Sequence, residues 1–120
     1  MHQVRPRRLR TGGFALAAIF LLGCSSAEPV SFPASDGTLV QADLYGRGER
    51  GVVLAPGGRF DKESWAPQAA ELARAGFRIV AIDYRETARE EGAHLDVLAA
   101  VRYLRETGAS SVSVVGASFG

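Results

Sequence analysis

Near its end the chain reads Val112-Ser113-Val114-Val115-Gly116-Ala117-Ser118-Phe119-Gly120, a short apolar run that leads directly into a serine between glycines. The run predicts a strand. The five residues after it match Gly-x-Ser-x-Gly, a pattern that forms a sharp strand-to-helix turn when it follows a strand. Small residues two positions on either side of the serine prevent collisions in such a turn. We therefore expect the Ser118 hydroxyl to stand above the end of a sheet.

Two more apolar runs lie upstream, at Val52–Ala55 and Phe77–Ile82. Short continuous runs of this kind are typical of strands that are buried on both faces of a parallel sheet. Before them, the segments Val30–Pro33 and Thr38–Tyr45 flank the pair Asp36-Gly37. An Asp-Gly pair between extended segments predicts an opening antiparallel hairpin.

A helix is predicted in each interval between the apolar strands. The first would begin with Ser64 as N-cap, accept Pro67 in its first turn and end before Gly76. The second would run from Ala93 to Thr107 and close on Gly108. The inner faces would use Trp65, Ala69, Leu72 and Ala73 in the first helix and Val97, Leu98, Val101 and Leu104 in the second. This alternation predicts an α/β fold with right-handed crossovers and helices flanking the parallel strands.

The loop after the first apolar strand reads Ala55-Pro56-Gly57-Gly58-Arg59-Phe60, and Lys62-Glu63-Ser64-Trp65 opens the following helix. With this loop and the serine turn, residues 31–120 resemble the α/β-hydrolase superfamily, and more narrowly its small esterase and dienelactone-hydrolase-like branches. The resemblance implies the N-terminal half of an α/β-hydrolase fold, truncated at the nucleophile turn. It also implies that Ser118 is the nucleophile and that the backbone amides of Gly58 and Phe119 form an oxyanion hole.

The same resemblance implies a catalytic acid and a histidine that follow the nucleophile in chain order. Asp83 and His94 precede Ser118, so we place neither in the triad, and we interpret Asp83 and Asp96 as structural. The mixed charges from Arg85 to Glu91 are interpreted as a solvated loop. Because a serine without a positioned base is a poor nucleophile, we expect these 120 residues to be a catalytically incomplete fragment. The whole protein would cleave carboxylic esters or related acyl substrates.

The beginning of the chain predicts an export signal. A basic stretch from Arg5 to Arg10 precedes an apolar run from Phe14 to Leu22. That run is too short to cross a hydrocarbon core of about 30 Å. The segment Leu21-Leu22-Gly23-Cys24 resembles the lipobox of bacterial lipoproteins, which implies cleavage before Cys24 and a lipid on its thiol.

These features divide the chain into three parts: a signal peptide at residues 1–23, a tether at 24–30 and the partial hydrolase domain at 31–120. We expect an exported protein, lipid-anchored at the cell envelope, which in a Gram-negative cell means the outer membrane or the periplasm. The membrane contact would be made through the lipid on Cys24.

Composition excludes several other functions. The formal net charge is only +1, and the arginines at the start of the chain lie within the predicted signal, so no basic face for nucleic acid is indicated. A single cysteine excludes a disulfide framework and a cysteine zinc site. Gly46–Gly51 spells Gly-x-Gly-x-x-Gly, but it precedes a strand rather than joining a strand to a helix, which argues against a dinucleotide site. We predict no cofactor and no metal.

Two rival interpretations remain open. The protein could be a non-catalytic lipoprotein that uses a hydrolase-like half-domain for binding, or a nucleotide-binding α/β domain. The sequence does not identify the substrate, because fold alone does not define it.

Overall fold

The computed structural model describes residues 26–89 and 91–119. The predicted signal peptide, Cys24 and the last glycine of the serine motif, Gly120, lie outside the described residues. The strands are β1 (Glu28–Pro33), β2 (Leu39–Tyr45), β3 (Arg50–Ala55), β4 (Phe77–Ile82) and β5 (Ser111–Gly116). Strand β1 begins two residues before the predicted start at Val30, within the segment assigned to the tether.

The five strands form one sheet in the order β1-β2-β4-β3-β5. Strands β1 and β2 form the predicted antiparallel hairpin, and β2 pairs antiparallel with β4. Strand β3 pairs in parallel with β4 on one side and with β5 on the other. The α/β fold class is therefore confirmed, with an opening hairpin followed by parallel strands.

The two α-helices are α1 (Ala66–Arg74) and α2 (Ala93–Glu106). The prediction that Ser64 caps α1 is wrong, because a 3-10 turn at Lys62–Trp65 precedes the helix and Trp65 takes the cap position without a side-chain bond. The Ser64 hydroxyl instead donates to the Asp61 carbonyl at 2.7 Å. In the part of the chain that the structure describes, no helix has the length and apolar character needed to cross a membrane.

The two helices cover opposite faces of the sheet and create two cores. Neighbouring residues of β3 point to opposite faces, so Val53 packs in the core beneath α2 while Val52 and Leu54 pack in the core beneath α1. A continuous apolar run is needed for this double burial, and each fully buried Val or Leu contributes about 1.5–3 kcal/mol.

The inner face of α1 is as predicted: Ala69 and Ala73 are buried, while Trp65 and Leu72 pack at the edge of their core. On α2 the prediction for Leu98 is wrong, since its side chain is 57% exposed. The helix is instead rotated to bury Asp96, and the residues buried with it are Ala99, Ala100 and Leu104.

Residues 46–49 connect β2 and β3 at a point where two backbones meet, and Gly51 already lies within β3. A Cβ on Gly48 would lie 1.7 Å from the Gly76 carbonyl oxygen, so only glycine fits there. Gly46 has φ +70° and faces Phe77 in the same crossing. The spacing of these glycines is explained by backbone packing rather than by phosphate binding.

Candidate active site

The carboxyl ends of the parallel strands β3, β4 and β5 meet at one edge of the sheet. Three segments leave from this edge: residues 56–61, 83–89 and 117–119. Two of them enclose a pocket of about 370 Å³, with Arg89 of the third at its wall. Its lining residues are Gly57, Gly58, Arg59, Phe60, Arg89, Ser118 and Phe119. The three residues that the sequence singled out, Ser118, Gly58 and Phe119, are thus brought together.

Ser118 has φ +53° and is the one non-glycine residue with positive φ among residues 26–89 and 91–119. The left-handed conformation costs an L-residue about 1–2 kcal/mol. The backbone turns directly after β5, where the Ala117 amide makes a last hydrogen bond of 3.3 Å to the Ala55 carbonyl. A strained turn of this kind is what the Gly-x-Ser-x-Gly pattern predicts, while the role of the hydroxyl stays a prediction.

Gly58 and Phe119 lie in contact across the pocket. A Cβ on Gly58 would stand 3.3 Å from the Phe119 Cβ, which is closer than most side chains approach. Within the described residues, neither the Gly58 amide nor the Phe119 amide donates a hydrogen bond to the protein. Gly58 and Phe119 are thus neighbours in the pocket, and the use of their amides as oxyanion donors stays a prediction.

Asp83 has a structural role here. Its Oδ1 accepts the Lys62 backbone amide at 2.7 Å and so fixes the far end of the loop that contains Gly58. Burial raises the pKa of the Asp83 carboxyl, against the opposing effect of this hydrogen bond. The Lys62 ammonium in turn bonds Asp43 at 3.0 Å and Glu63 at 2.6 Å. No local sequence pattern indicated that the loop is anchored to β2 in this way.

Asp96 is fully buried and pairs with Arg85. Its two oxygens accept from the Arg85 backbone amide at 2.9 Å and from the guanidinium at 2.7 and 3.0 Å. The Arg85 side chain is only 9% exposed, so the interpretation of its loop as wholly solvated is wrong at this position. The interpretation of Asp96 as structural agrees with this geometry.

The Arg85 guanidinium also reaches the hairpin turn, where it bonds Asp36 at 2.5 Å. This contact holds the pKa of the Asp36 carboxyl well below its ordinary value of 3.8. One side chain thereby joins the β1–β2 turn, the segment after β4 and helix α2.

Because the Asp36 pKa is lowered by folding, this carboxylate stabilises the protein above its unfolded pKa and ceases to do so as the pH falls through the folded pKa. We expect wild type to be more stable than Asp36→Asn at about pH 6, and the difference in free energy of unfolding to shrink progressively below about pH 4. Urea unfolding of both proteins from about pH 6 down to about pH 2 measures the change. A difference that is constant with pH would contradict the assigned contact.

His94 lies apart from the serine pocket. It lines a neighbouring groove of about 640 Å³, whose apolar wall includes Val97, Leu98 and Phe119. It does not line the pocket that contains Ser118. Across residues 26–89 and 91–119 there is no cluster of three or more potential His, Cys, Asp or Glu metal ligands.

The sheet order, the two flanking helices and the serine turn are those of an α/β-hydrolase fold, of which the described residues form a part. An esterase from Pyrococcus furiosus superposes with a TM-score of 0.71 at 18% identity, over 79% of this chain and 44% of that one. An epoxide hydrolase from an endophytic Streptomyces gives 0.62 at 28% identity, over 78% and 30%. Brefeldin A esterase, a bacterial homologue of human hormone-sensitive lipase, gives 0.64 at 25% identity, over 79% and 32%.

No family model matches the sequence. The chain spans less than half the length of the structures it resembles. These neighbours are hydrolytic enzymes, and their likeness to this chain shows the fold. They do not distinguish an esterase from an epoxide hydrolase.

Proposed function

We propose that the protein is a serine hydrolase of carboxylic esters or related acyl substrates. The observation that carries the proposal is the strained turn at Ser118, with the free amides of Gly58 and Phe119 in the same pocket. A nucleophile beside two preorganised donors is the arrangement that acyl transfer requires.

In the proposed reaction the Ser118 hydroxyl oxygen attacks the ester carbonyl carbon while a base takes its proton. The carbonyl oxygen becomes an oxyanion, which the Gly58 and Phe119 amides stabilise; losing one such donor typically costs about 2.7–4 kcal/mol. The bond to the alcohol then breaks, the alcohol leaves with the proton, and water releases the acid from Ser118. The base and its orienting acid are proposed to be a histidine and a carboxylate that follow Ser118 in chain order.

The amide pair favours acyl substrates over epoxides. Two donors at one point are useful where a carbonyl oxygen gains full negative charge in a tetrahedral intermediate. A serine nucleophile also yields an acyl-enzyme that water can hydrolyse. The substrate is therefore proposed to be a small ester, with lactones, thioesters and amides in the same chemical class.

Export and lipidation at Cys24 are part of the proposal and rest on the lipobox resemblance alone. The rival function, a binding lipoprotein without catalysis, would have the same location but no activated serine. A nucleotide-binding domain is disfavoured because Gly46 and Gly48 serve a backbone crossing and Gly51 lies within β3.

A fluorophosphonate probe tests these assignments on the full-length gene product that contains this chain. We expect labelling at Ser118 that is absent in Ser118→Ala and retained in Ser113→Ala, a matched serine on β5. In cells, the labelled band should partition with membranes and become soluble in Cys24→Ala.

Each part of the experiment has its own negative result. A folded protein that is not labelled would defeat the hydrolase proposal and favour the binding lipoprotein. A labelled protein that stays soluble would leave the hydrolase in place and overturn the lipid anchor.

A further inference from the structure

The segment between β4 and α2 contacts both residues of the proposed oxyanion hole. Arg89 donates from its guanidinium to the Gly58 carbonyl oxygen at 2.7 Å. The Tyr84 ring packs edge-on against the Phe119 ring, with 5.4 Å between centroids and an interplanar angle of 82°. Side chains of residues 83–89 thus contact both the loop that contains Gly58 and the turn that contains Phe119.

Gly58 needs such a contact more than most residues. It follows another glycine and has no side chain, so packing cannot fix its backbone dihedrals, and glycine has more conformational freedom to lose than other residues. A hydrogen bond from a charged donor is about twice as strong as one between neutral groups. The bond from Arg89 therefore restrains the peptide unit between Gly58 and Arg59. This unit shares the Gly58 Cα with the preceding one, whose N–H is the candidate oxyanion donor, so the restraint acts on the donor through the Gly58 dihedrals.

The segment that carries Arg89 is itself anchored. Arg85 is tied to the buried carboxylate of Asp96, and Asp83 binds the Lys62 amide at the other end of the glycine loop. Arg89 thus acts from an anchored segment. It bonds the loop at Gly58, whereas Asp83 bonds it at Lys62.

We propose that Arg89 is a positioning residue that holds the Gly57-Gly58 backbone in the geometry needed to bind an oxyanion. This inference rests on the proposed function, because the consequence for catalysis exists only if Gly58 binds the oxyanion. Misplacement of a catalytic group by about 1 Å can reduce a rate by roughly 10²-fold, so we expect Arg89→Ala to lower kcat by about 10- to 100-fold.

Substrate binding is an alternative role for Arg89, and the experiment has to distinguish it from positioning. Arg89 and Arg59 both line the serine pocket, and a guanidinium there could instead bind a negatively charged substrate. A positioning residue would affect neutral and anionic esters alike through kcat, whereas a substrate-binding residue would raise KM for the anionic ester alone.

The test compares Arg89→Ala, Arg89→Lys and the control Arg74→Ala, an exposed arginine at the end of α1 and outside the serine pocket, in the full-length gene product. Kinetics are measured with p-nitrophenyl acetate, which is neutral, and mono-p-nitrophenyl succinate, which is anionic. We expect Arg89→Ala to lose kcat equally on both esters with little change in KM, Arg89→Lys to recover part of it, and Arg74→Ala to resemble wild type. A loss confined to KM for the succinate, or an equal loss in Arg74→Ala, would overturn the proposal.

Hydrogen exchange gives a readout that does not depend on activity. The Phe60 amide donates to the Gly57 carbonyl at 2.9 Å and reports the order of the loop. We expect this amide to exchange faster in Arg89→Ala than in wild type and in Arg74→Ala. An unchanged rate would overturn the positioning role even in an active enzyme, while faster exchange in a protein without esterase activity would support the restraint and defeat only the proposed function.

Discussion

Replacing Ser118 by glycine should abolish ester hydrolysis and at the same time make the protein more stable. Removal of the nucleophile is expected to lower kcat by at least about 10⁴-fold. Because Ser118 has φ +53°, a conformation that glycine adopts without a Cβ penalty, the free energy of unfolding should rise by about 1 kcal/mol. Both quantities are measured on the full-length gene product, by steady-state kinetics and by urea unfolding.

Two variants separate the effects. Ser118→Ala should lose the same activity without the gain in stability, because alanine retains the strain. Ser113→Gly, in a strand with ordinary dihedrals, should keep its activity and become less stable by about 0.5–1 kcal/mol. If Ser118→Gly were less stable than wild type, the turn would carry no strain.

The largest loss of stability is expected from Asp96→Ala. The substitution would leave the nearly buried Arg85 guanidinium without its main partner, and breaking a buried ion pair from one side typically costs about 3–5 kcal/mol. It would also release the Arg85 backbone amide and the contact between α2 and the segment after β4. Urea unfolding followed by circular dichroism measures the change.

The matched control is Asp36→Ala, which removes the other carboxylate on the same guanidinium. Its side chain is 39% exposed, so solvent weakens the ion pair and we expect a clearly smaller loss of stability than from Asp96→Ala. Asp96→Asn keeps the shape and one acceptor oxygen, and it should fall between the two even if Asp96→Ala fails to fold. Equal effects of Asp96→Ala and Asp36→Ala would contradict the assigned burial of the pair.

Local patterns were enough to predict most of the fold. The strand Phe77–Ile82 has the bounds that its apolar run indicated, and Gly76 and Gly108 both have positive φ at helix ends. These features depend on residues that are adjacent in sequence, so a single segment contains all the information. The same holds for the turn at Ser118, whose motif and preceding strand are contiguous.

The errors arose where distant residues decide the local structure. The Lys62 backbone amide is held by Asp83, which lies 21 positions further along the chain. The Ser64 hydroxyl bonds the Asp61 carbonyl instead of capping the helix, and the chain enters α1 through a 3-10 turn. The rotation of α2, which exposes Leu98, follows from the pairing of Asp96 with Arg85. An aspartate on the apolar face of a helix was the available signal for that pair.

In the candidate site, too, some residues could be predicted from local sequence and others could not. Ser118, Gly58 and Phe119 could be singled out because each belongs to a short motif. The supporting contacts of Arg89 and Tyr84 come from a segment without hydrophobic periodicity, and only the three-dimensional arrangement shows which residues they touch.

The convergence of three loops at one sheet edge has an evolutionary consequence. The two cores lie below that edge, so substitutions and insertions in these loops can alter the chemistry of the pocket without opening a cavity in the packed layers. A lineage with this architecture can acquire new substrates by exchanging loop sequences. Asp83 and Arg85 are exceptions, because Asp83 bonds the glycine loop at Lys62 and Arg85 bonds the buried Asp96 of α2. Substitutions at these two positions would alter the shape of the pocket and the stability of the fold together.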